Sequence, residues 1–216
     1  MSTLDDLLNP KAVAVIGASD SPNRIGGRPI SYMKMAGYTG RILPINPKRE
    51  TIQDLPAYRT VAEAREAYGA DIDCAIIAIP AAAVPQAVRD CAAAGVHACI
   101  IFSSGFAEAD AAGSVLQDEL VAISKDTGIR IVGPNCLGVF DANSGFMAAF
   151  TTTLERGAPK PGTVSVVSQS GAYGSHIYFV ARLRGLNVGK MITTGNECDL
   201  DVAECIELFA QDRETK

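Results

Sequence analysis

The chain has 216 residues, 48% of them hydrophobic, so it is long enough to form one large core or two small ones. Nineteen basic and 24 acidic residues give a formal charge of -5, with no long run of either sign, which argues against a nucleic-acid partner. Its apolar runs are too short to span a bilayer, and the N-terminus MSTLDDLLNP has no secretory pattern, so we expect a cytoplasmic protein without a membrane partner.

Apolar strands and helices alternate along the first part of the chain, with glycines between them. The predicted strands cover 13–17, 41–46, 74–79, 97–103 and 129–132. The predicted helices cover 26–36, 60–68, 84–94 and 113–127. Thr60 is a predicted N-cap, and Glu63 completes a capping box. Strands this apolar are expected in a parallel sheet covered on both faces, so residues 1–135 are predicted to form a Rossmann-like, doubly wound α/β domain.

The rhythm changes in the second part of the chain. Residues 141–162, DANSGFMAAFTTTLERGAPKPG, collect Gly, Pro and Thr, which predicts a connection between two units. A second cycle follows, with predicted strands at 163–167 and 189–193 and predicted helices at 172–184 and 200–211. Because two strands are too few for an independent sheet, residues 163–216 are predicted to be a truncated α/β domain.

The six cysteines contain no CxxC pair and lie mostly inside apolar segments. A reduced thiol in such a segment behaves as a small hydrophobic group. We therefore predict structural thiols in preference to disulfides or a zinc site, and we assign no metal ligand.

The first strand leads into a glycine turn, GASDSPNRIGG at 17–27, whose glycines do not follow the dinucleotide fingerprint G-x-G-x-x-G. The second strand ends in INPKRE, so Asn46 and Lys48 stand where an adenosine ribose diol would need a carboxylate. A lysine there suits a ribose that itself carries a phosphate, as in NADP and coenzyme A. An ordinary solvated loop lysine explains the same residue.

A third loop, FSSGFAE at 102–108, follows the fourth strand. It places Ser103, Ser104 and Gly105 at the carboxyl end of the sheet, where such folds bind ligands. Backbone N–H groups and hydroxyls in this loop can bind a phosphate or the amide groups of pantetheine. Ser-Ser-Gly is also ordinary loop sequence, so the loop alone is not specific.

A second strand–turn–helix pattern, VSVVSQSGAYG, covers 164–174. Ser168 or Ser170 is predicted to cap the helix, and the free N–H groups around Ser170, Gly171 and Ala172 would face an anion. A helix dipole contributes about 0.3–1 kcal/mol, so it positions a phosphoryl group without activating it. A capped helix with nothing bound accounts for the same residues.

Seven stretches, in order along nearly the whole chain, resemble the NDP-forming acyl-CoA synthetases on their α-subunit side, the family that includes succinyl-CoA synthetase. They are VAVIGASDSPNRIGG, GRILPINPK, DCAIIAIPAAAVPQAV, IIFSSGFAE, IRIVGPNCLG, VSVVSQSGAYG and TTGNECDLDVAECIELF. The resemblance implies a CoA-binding Rossmann-like domain over 1–135 and a connection over 136–162. It also implies that 163–216 are the N-terminal part of a flavodoxin-like, succinyl-CoA-ligase-type domain.

The resemblance further implies a coenzyme A site. The residues assigned to it are Gly17, Ser19, Asp20, Lys48, Pro80, Ser103, Ser104, Gly105, Asn135 and Cys136, and the phosphate-binding residues are Ser168, Ser170 and Gly171. Cys136 falls near where the pantetheine thiol would arrive, although no basic residue adjoins it in sequence and a packing thiol is the alternative. Asn196 and Glu197 either face the phosphate or acyl group or precede a helix capped by Asp199.

Members of this family convert a carboxylic acid, coenzyme A and a nucleoside triphosphate into acyl-CoA, nucleoside diphosphate and phosphate, through an acyl phosphate and a phosphohistidine. The family's histidine lies in a glycine-rich segment that nothing here matches, so neither His97 nor His176 receives the role and we assign no catalytic residue. The ATP-grasp portion, which would bind ATP or ADP and Mg²⁺, is also missing. The resemblance thus implies an inactive piece of a larger, oligomeric ligase that needs an ATP-grasp domain or subunit.

Two other functions fit parts of the sequence. A CoA-binding regulatory module, free-standing or fused to an acetyltransferase domain, needs the first domain but not the second phosphate turn. An NADP-dependent oxidoreductase would use Lys48, but the sequence contains no Tyr-x-x-x-Lys pair or comparable set for hydride transfer.

Overall fold

Two β-sheets organise the chain in the computed structural model, which describes residues 3–216. In chain order, the elements are α1 (Thr3–Leu8), β1 (Ala12–Ile16), α2 (Arg28–Met35), β2 (Arg41–Ile45), β3 (Thr51–Ile52), β4 (Leu55–Pro56), α3 (Val61–Tyr68), β5 (Cys74–Ile77), α4 (Val84–Ala93), β6 (Ala98–Ile101), α5 (Ala111–Thr127), β7 (Arg130–Val132), β8 (Gly138–Asp141), β9 (Phe146–Ala149), β10 (Val164–Ser168), α6 (Gly171–Leu183), β11 (Val188–Thr193) and α7 (Val202–Ala210). Short 3-10 helices cover Ala81–Ala83 and Thr152–Arg156. Within residues 3–216, no helix combines the length and the apolar character needed to cross a membrane.

The first sheet has the order β2-β1-β5-β6-β7, and every pair is parallel. All residues of β1, β5 and β6 are buried, because α1 and α2 pack on one face and α3, α4 and α5 on the other. This arrangement confirms the predicted doubly wound α/β fold. Since β2 and β5 lie on opposite sides of β1, the crevice that such sheets use for ligands opens at the carboxyl ends of β1 and β5.

The second sheet contains four strands in the order β10-β11-β8-β9. The two strands predicted for residues 163–216 are present as β10 and β11, but the expectation of a connection without strands was wrong. The additional strands, β8 and β9, form an antiparallel hairpin inside the predicted connection 136–162, and β8 pairs antiparallel with β11. All residues of both strands are buried, and β9 packs against α2. We missed the hairpin because it breaks the strand–helix alternation on which the prediction was based.

Capping at the N-terminus of α3 is confirmed with one change of partner. The Glu63 N–H donates to Thr60 Oγ1 at 3.1 Å, as predicted. In return, Glu63 Oε2 accepts from the Arg59 N–H at 2.8 Å, one residue before the cap, and not from the N–H of Thr60. Both backbone N–H groups are thereby satisfied, which is what a capping box achieves.

The loop between β11 and α7 joins the two sheets. Asp199 does not cap α7 as suggested: Asp201 is the N-cap and accepts from the Glu204 N–H at 2.8 Å. Asp199 lies beside β7 instead, where it accepts from Arg130 Nε at 2.9 Å and from the Ile131 N–H at 2.7 Å. The ion pair between the sheets explains why this carboxylate is not available to the helix.

A buried ionic cluster lies at the other end of β11. Lys190 is only 5% exposed, and its Nζ is 2.6 Å from Asp212 Oδ2, 2.8 Å from Glu214 Oε2 and 3.9 Å from Asp141 Oδ2. Burial lowers the pKa of Lys190, but its hydrogen bonds to Asp212 and Glu214 outweigh this and leave the pKa raised. The lysine is therefore charged when the neighbouring carboxylates are ionised.

Candidate functional site

An open cleft of about 1030 Å³ lies at the carboxyl ends of β1, β2 and β5, in the predicted crevice. Its lining is mostly polar and comes from the first glycine turn and the tips of the neighbouring strands. The lining residues are Gly17, Ala18, Ser19, Asp20, Ser21, Asn23, Arg24, Ile25, Gly26, Asn46, Arg49 and Ala78.

Gly17 lets the first turn approach the end of β5. Its φ is +83°, and a Cβ at this position would lie 2.3 Å from Ala78 O and 2.8 Å from Ile79 Cγ2. At Gly26, a Cβ would lie 2.1 Å from Gly17 O, so the turn folds back on itself at backbone contact distance. These glycines are thus required for the close packing that shapes the cleft.

Ser19 and Asp20 hold the turn in place through the β3–β4 hairpin. Asp20 Oδ1 accepts from the Gln53 N–H at 2.8 Å, and Gln53 Nε2 donates to Ser19 O at 3.0 Å and to Gly27 O at 2.9 Å. Ser19 Oγ accepts from the Ser21 N–H at 3.2 Å. Gln53 was not singled out in the sequence, since nothing local marks a residue 33 positions after Asp20 as its partner.

At the tip of β2, the amide of Asn46 is a structural group. Its Nδ2 donates to Ala18 O at 2.9 Å, and its Oδ1 accepts from the Lys48 N–H at 2.9 Å. Lys48 is exposed beside the cleft and does not line it, whereas Arg49 and Arg24 do. Within residues 3–216, neither arginine has a carboxylate within 4.0 Å, so the cleft presents two cations without acidic partners.

The third loop lies next to this cleft. Ser103 Oγ donates to Ile79 O at 2.6 Å, Gly105 lies beside the short helix that follows Pro80, and Ser104 and Pro80 are exposed. The Gly105 N–H, which the prediction reserved for a ligand, donates instead to Glu108 Oε1 at 2.6 Å. Glu108 was not predicted as a site residue.

The bend formed by GPNCLG, residues 133–138, extends the site away from the cleft. Asn135 has a φ of +56°, and its N–H donates to Ser103 O at 2.8 Å. Cys136 is buried, and its Sγ donates to Ile101 O at 3.3 Å. Burial raises the pKa of the Cys136 thiol to about 12. Cys136 is therefore a packing thiol, the alternative that its sequence neighbourhood already favoured.

All six cysteines are buried free thiols, which leads to a direct prediction. The folded chain is expected to react with Ellman's reagent at pH 8 at no more than a small fraction of the rate of the unfolded chain, because the reagent cannot reach the buried thiols. The measurement compares the reaction in buffer with that in urea. Fast modification of Cys136 alone in buffer would contradict the packing assignment.

A smaller cavity of about 340 Å³ separates the GPNCLG bend from the second glycine-serine turn. Ser170 caps α6, accepting from the Tyr173 N–H at 3.3 Å, whereas Ser168 Oγ donates to Ser170 O at 2.8 Å. At Gly171, a Cβ would lie 2.6 Å from Leu137 Cβ, so only glycine allows the two turns to approach. Gln169, Ser170, Gly171 and Ala172 face Asn135 across the cavity.

The remaining candidates are placed as follows. Glu197 Oε1 accepts from Thr194 Oγ1 at 2.7 Å and from the Val202 N–H at 3.1 Å, so its carboxylate supports the loop. His97 lies near Asp6, with Nδ1 3.5 Å from Oδ1, and His176 is exposed on α6. Neither histidine lines the cleft or the smaller cavity.

Two protein-family profiles match the chain. The first, described as a CoA binding domain, matches residues 11–142, and the second, described as a succinyl-CoA ligase like flavodoxin domain, matches residues 161–216. The predicted resemblance and the flavodoxin-like assignment of the second unit are thereby confirmed. The domain boundaries at 135 and 162 remain predictions.

Similar proteins are acid–CoA ligases or their alpha subunits. The chain is 35% identical over 213 residues to the ADP-forming acetate–CoA ligase II subunit alpha of Pyrococcus furiosus, covering 99% of this chain and 44% of that protein. It is 34% identical to the ADP-forming acetate–CoA ligase I of Archaeoglobus fulgidus, covering 98% of this chain and 30% of that protein. The chain thus spans less than half of each of these relatives.

Solved structures show the same fold. The apo form of the dinucleotide forming acetyl-coenzyme A synthetase 1 of Ca. Korarchaeum cryptofilum superposes with a TM-score of 0.89 at 31% identity, over 98% of this chain and 44% of that one. A Pyrococcus horikoshii OT3 protein superposes with a TM-score of 0.89 at 36% identity, over 99% of this chain and 47% of that one. With the first profile covering more than half of its residues, and with a cationic cleft at the crevice of its parallel sheet, the chain belongs to the CoA binding domain family.

Proposed function

We propose that this chain is the coenzyme A-binding part of an ADP-forming acid–CoA ligase. The proposal rests on Arg24 and Arg49, two arginines with no carboxylate partner in residues 3–216, in a cleft whose β2 tip carries the amide of Asn46 in place of a carboxylate. Such a cleft suits an adenosine whose ribose and 5′ position both carry phosphates.

The phosphates of coenzyme A divide between the two walls of the cleft. Lys48 and Arg49 follow β2, where the ribose lies in sheets of this topology, so we assign the 3′-phosphate to them. Arg24 lies on the opposite wall, in the first turn before α2, and we assign the diphosphate to it. The N-terminus of α2 adds a favourable dipole for the same charge.

The pantetheine arm would then run past Ser103–Gly105 towards the smaller cavity. There the N–H groups at the start of α6, around Ser170 and Gly171, suit a phosphoryl group that arrives for transfer to the acid. The phosphohistidine, ATP or ADP and Mg²⁺ belong to an ATP-grasp domain or subunit and to segments with no counterpart in this chain. The binding site for the acid substrate and the contacts of the oligomeric assembly are properties of that larger enzyme.

The charge assignments predict a pattern of affinities. Calorimetric titration is expected to show coenzyme A binding about 10- to 100-fold more tightly than dephospho-coenzyme A, because charge-assisted hydrogen bonds contribute about 1.5–3 kcal/mol. The double variant Lys48→Ala/Arg49→Ala should bind the two ligands equally. Arg24→Ala should weaken both by the same factor.

Arg41→Ala provides the matched control, since Arg41 is an exposed arginine at the opposite end of β2. It should leave both affinities unchanged. Equal binding of the two ligands by the unmodified chain would remove the support for a ribose-phosphate site. Tighter binding of NADPH than of coenzyme A would favour an oxidoreductase instead.

A further inference from the structure

The Ser103–Phe106 turn stands between the two cavities. Ser103 Oγ donates to Ile79 O at 2.6 Å, next to Ala78 in the wall of the first cleft. Ser103 O accepts from the N–H of Asn135, which lines the smaller cavity, at 2.8 Å. A ligand long enough to extend from one cavity to the other must therefore pass this turn.

Two backbone N–H groups of the turn are directed at one carboxylate. The Gly105 N–H donates to Glu108 Oε1 at 2.6 Å, and the Phe106 N–H lies 3.3 and 3.2 Å from the two Glu108 oxygens. The side chain of Phe106 is fully buried and anchors the turn, while Gly105 has a φ of +100°, a conformation that favours glycine. The geometry is that of a site for an oxygen ligand, already filled from within.

Glu108 is held by neutral donors alone. Within residues 3–216 it has no cationic side chain within 4.0 Å, and its further partner is the Asn196 amide. Burial raises the pKa of Glu108, but its hydrogen bonds from Asn196 and Gly105 outweigh this and hold the pKa below its ordinary value. The residue is exposed, and Asn196 Nδ2 keeps Gln117 Oε1 as a second acceptor at 2.9 Å, so the carboxylate can leave without stranding a buried group.

We propose that Glu108 is an internal occupant of an oxygen-binding turn, and that it must swing out before the N–H groups of Gly105 and Phe106 can bind an oxygen of the ligand. The inference rests on the proposed coenzyme A site. The ligand group is a carbonyl or carboxylate oxygen, supplied either by an amide of the pantetheine arm or by the acid substrate. Because only molecules with an open turn bind the ligand oxygen, the apparent affinity for the ligand falls in proportion to the fraction of open molecules.

The test compares ligands with and without the pantetheine arm. Glu108→Ala and Glu108→Gln are titrated with coenzyme A and with adenosine 3′,5′-bisphosphate, which fills the cleft but does not reach the turn. Glu108→Ala should bind coenzyme A about 10-fold more tightly, since one net hydrogen bond corresponds to about that factor. Glu108→Gln should show a smaller gain, because a neutral amide oxygen is a weaker acceptor. Bisphosphate affinity should not change.

Asp118→Ala is the charge-matched control, because Asp118 is exposed on α5 and has no hydrogen-bond or ion-pair partner within residues 3–216. It should leave both affinities unchanged.

Titrations with pantetheine and with acetate distinguish the two sources of the oxygen. If Glu108→Ala binds pantetheine more tightly, the oxygen comes from the pantetheine arm, and if it binds acetate more tightly, the oxygen comes from the acid substrate. Unchanged or weaker binding of coenzyme A, pantetheine and acetate by Glu108→Ala would overturn the inference. Failure of the unmodified chain to bind even the bisphosphate would instead overturn the proposed function.

Discussion

Gly17→Ala is expected to abolish measurable coenzyme A binding and to lower the free energy of unfolding by about 2–5 kcal/mol. The added Cβ would lie 2.3 Å from Ala78 O, a backbone atom at the end of β5 that has no flexible end to move aside. A φ of +83° adds the strain of a left-handed conformation. The turn must therefore move away from β5, which displaces the Ser19 and Arg24 wall of the cleft. Calorimetry with coenzyme A and urea unfolding measure the two effects.

Gly37→Ala separates the two causes of this loss. Gly37 also has a positive φ, +72°, but a Cβ there would meet no atom within 4 Å. It should lower the free energy of unfolding by only about 1–2 kcal/mol and leave coenzyme A affinity intact. If Gly17→Ala bound coenzyme A as the unmodified chain does, the close approach of the first turn to β5 would not be what shapes the site.

Lys190→Met is expected to lower the free energy of unfolding by about 3–5 kcal/mol at pH 7, because it leaves Asp141, Asp212 and Glu214 together without their cation. Methionine keeps most of the buried side-chain volume, so the loss reflects charge more than packing. Urea unfolding followed by circular dichroism measures it. Lys125→Met, at an exposed position of α5 without an ion pair in residues 3–216, should change the free energy by less than about 0.5 kcal/mol.

The effect of Lys190→Met should also depend on pH. Burial raises the pKa of Asp212, but its hydrogen bonds, first the one from Lys190, outweigh this and leave the pKa lowered. A separate hydrogen bond from Lys190 lowers the pKa of Glu214. Groups with lowered pKa values stabilise the fold above their unfolded pKa and lose that contribution as the pH falls through the folded value. Burial raises the pKa of Asp141, so this carboxyl acts in the opposite direction. The difference between the variant and the unmodified chain should thus shrink between pH 7 and pH 3; an equal difference at both would point to packing.

Local sequence predicted the elements of the first sheet within a few residues, because each signal lies within the element itself. The apolar runs at β1, β5 and β6 reflect burial on both faces, and Thr60 and Ser170 cap the helices that follow them. The hairpin of β8 and β9 was missed because it interrupts the strand–helix alternation. Its place in the second sheet depends on the pairing of β8 with β11, which joins residues about 50 positions apart.

The candidate site likewise combines features that local sequence predicted with contacts that it did not predict. The sequence motifs located the first turn and the β2 tip, which line the larger cleft, and the second turn, which lines the smaller cavity. Which polar groups remain free for a ligand did not follow. Asp20 Oδ1 accepts from the Gln53 N–H, and Glu108 accepts from the N–H groups of Gly105 and Phe106.

By itself, the sequence determined the parallel α/β class, the positions of the glycine turns and the absence of a ribose-binding acid at the end of β2, since all three depend on the chemistry of short contiguous segments. The tertiary structure alone decided that Arg24 and Arg49 line the cleft and that Glu108 occupies the third loop. Those outcomes depend on contacts between segments that are distant in the chain. Sheet register and packing set the relative positions of these segments, so no single segment predicts the contacts.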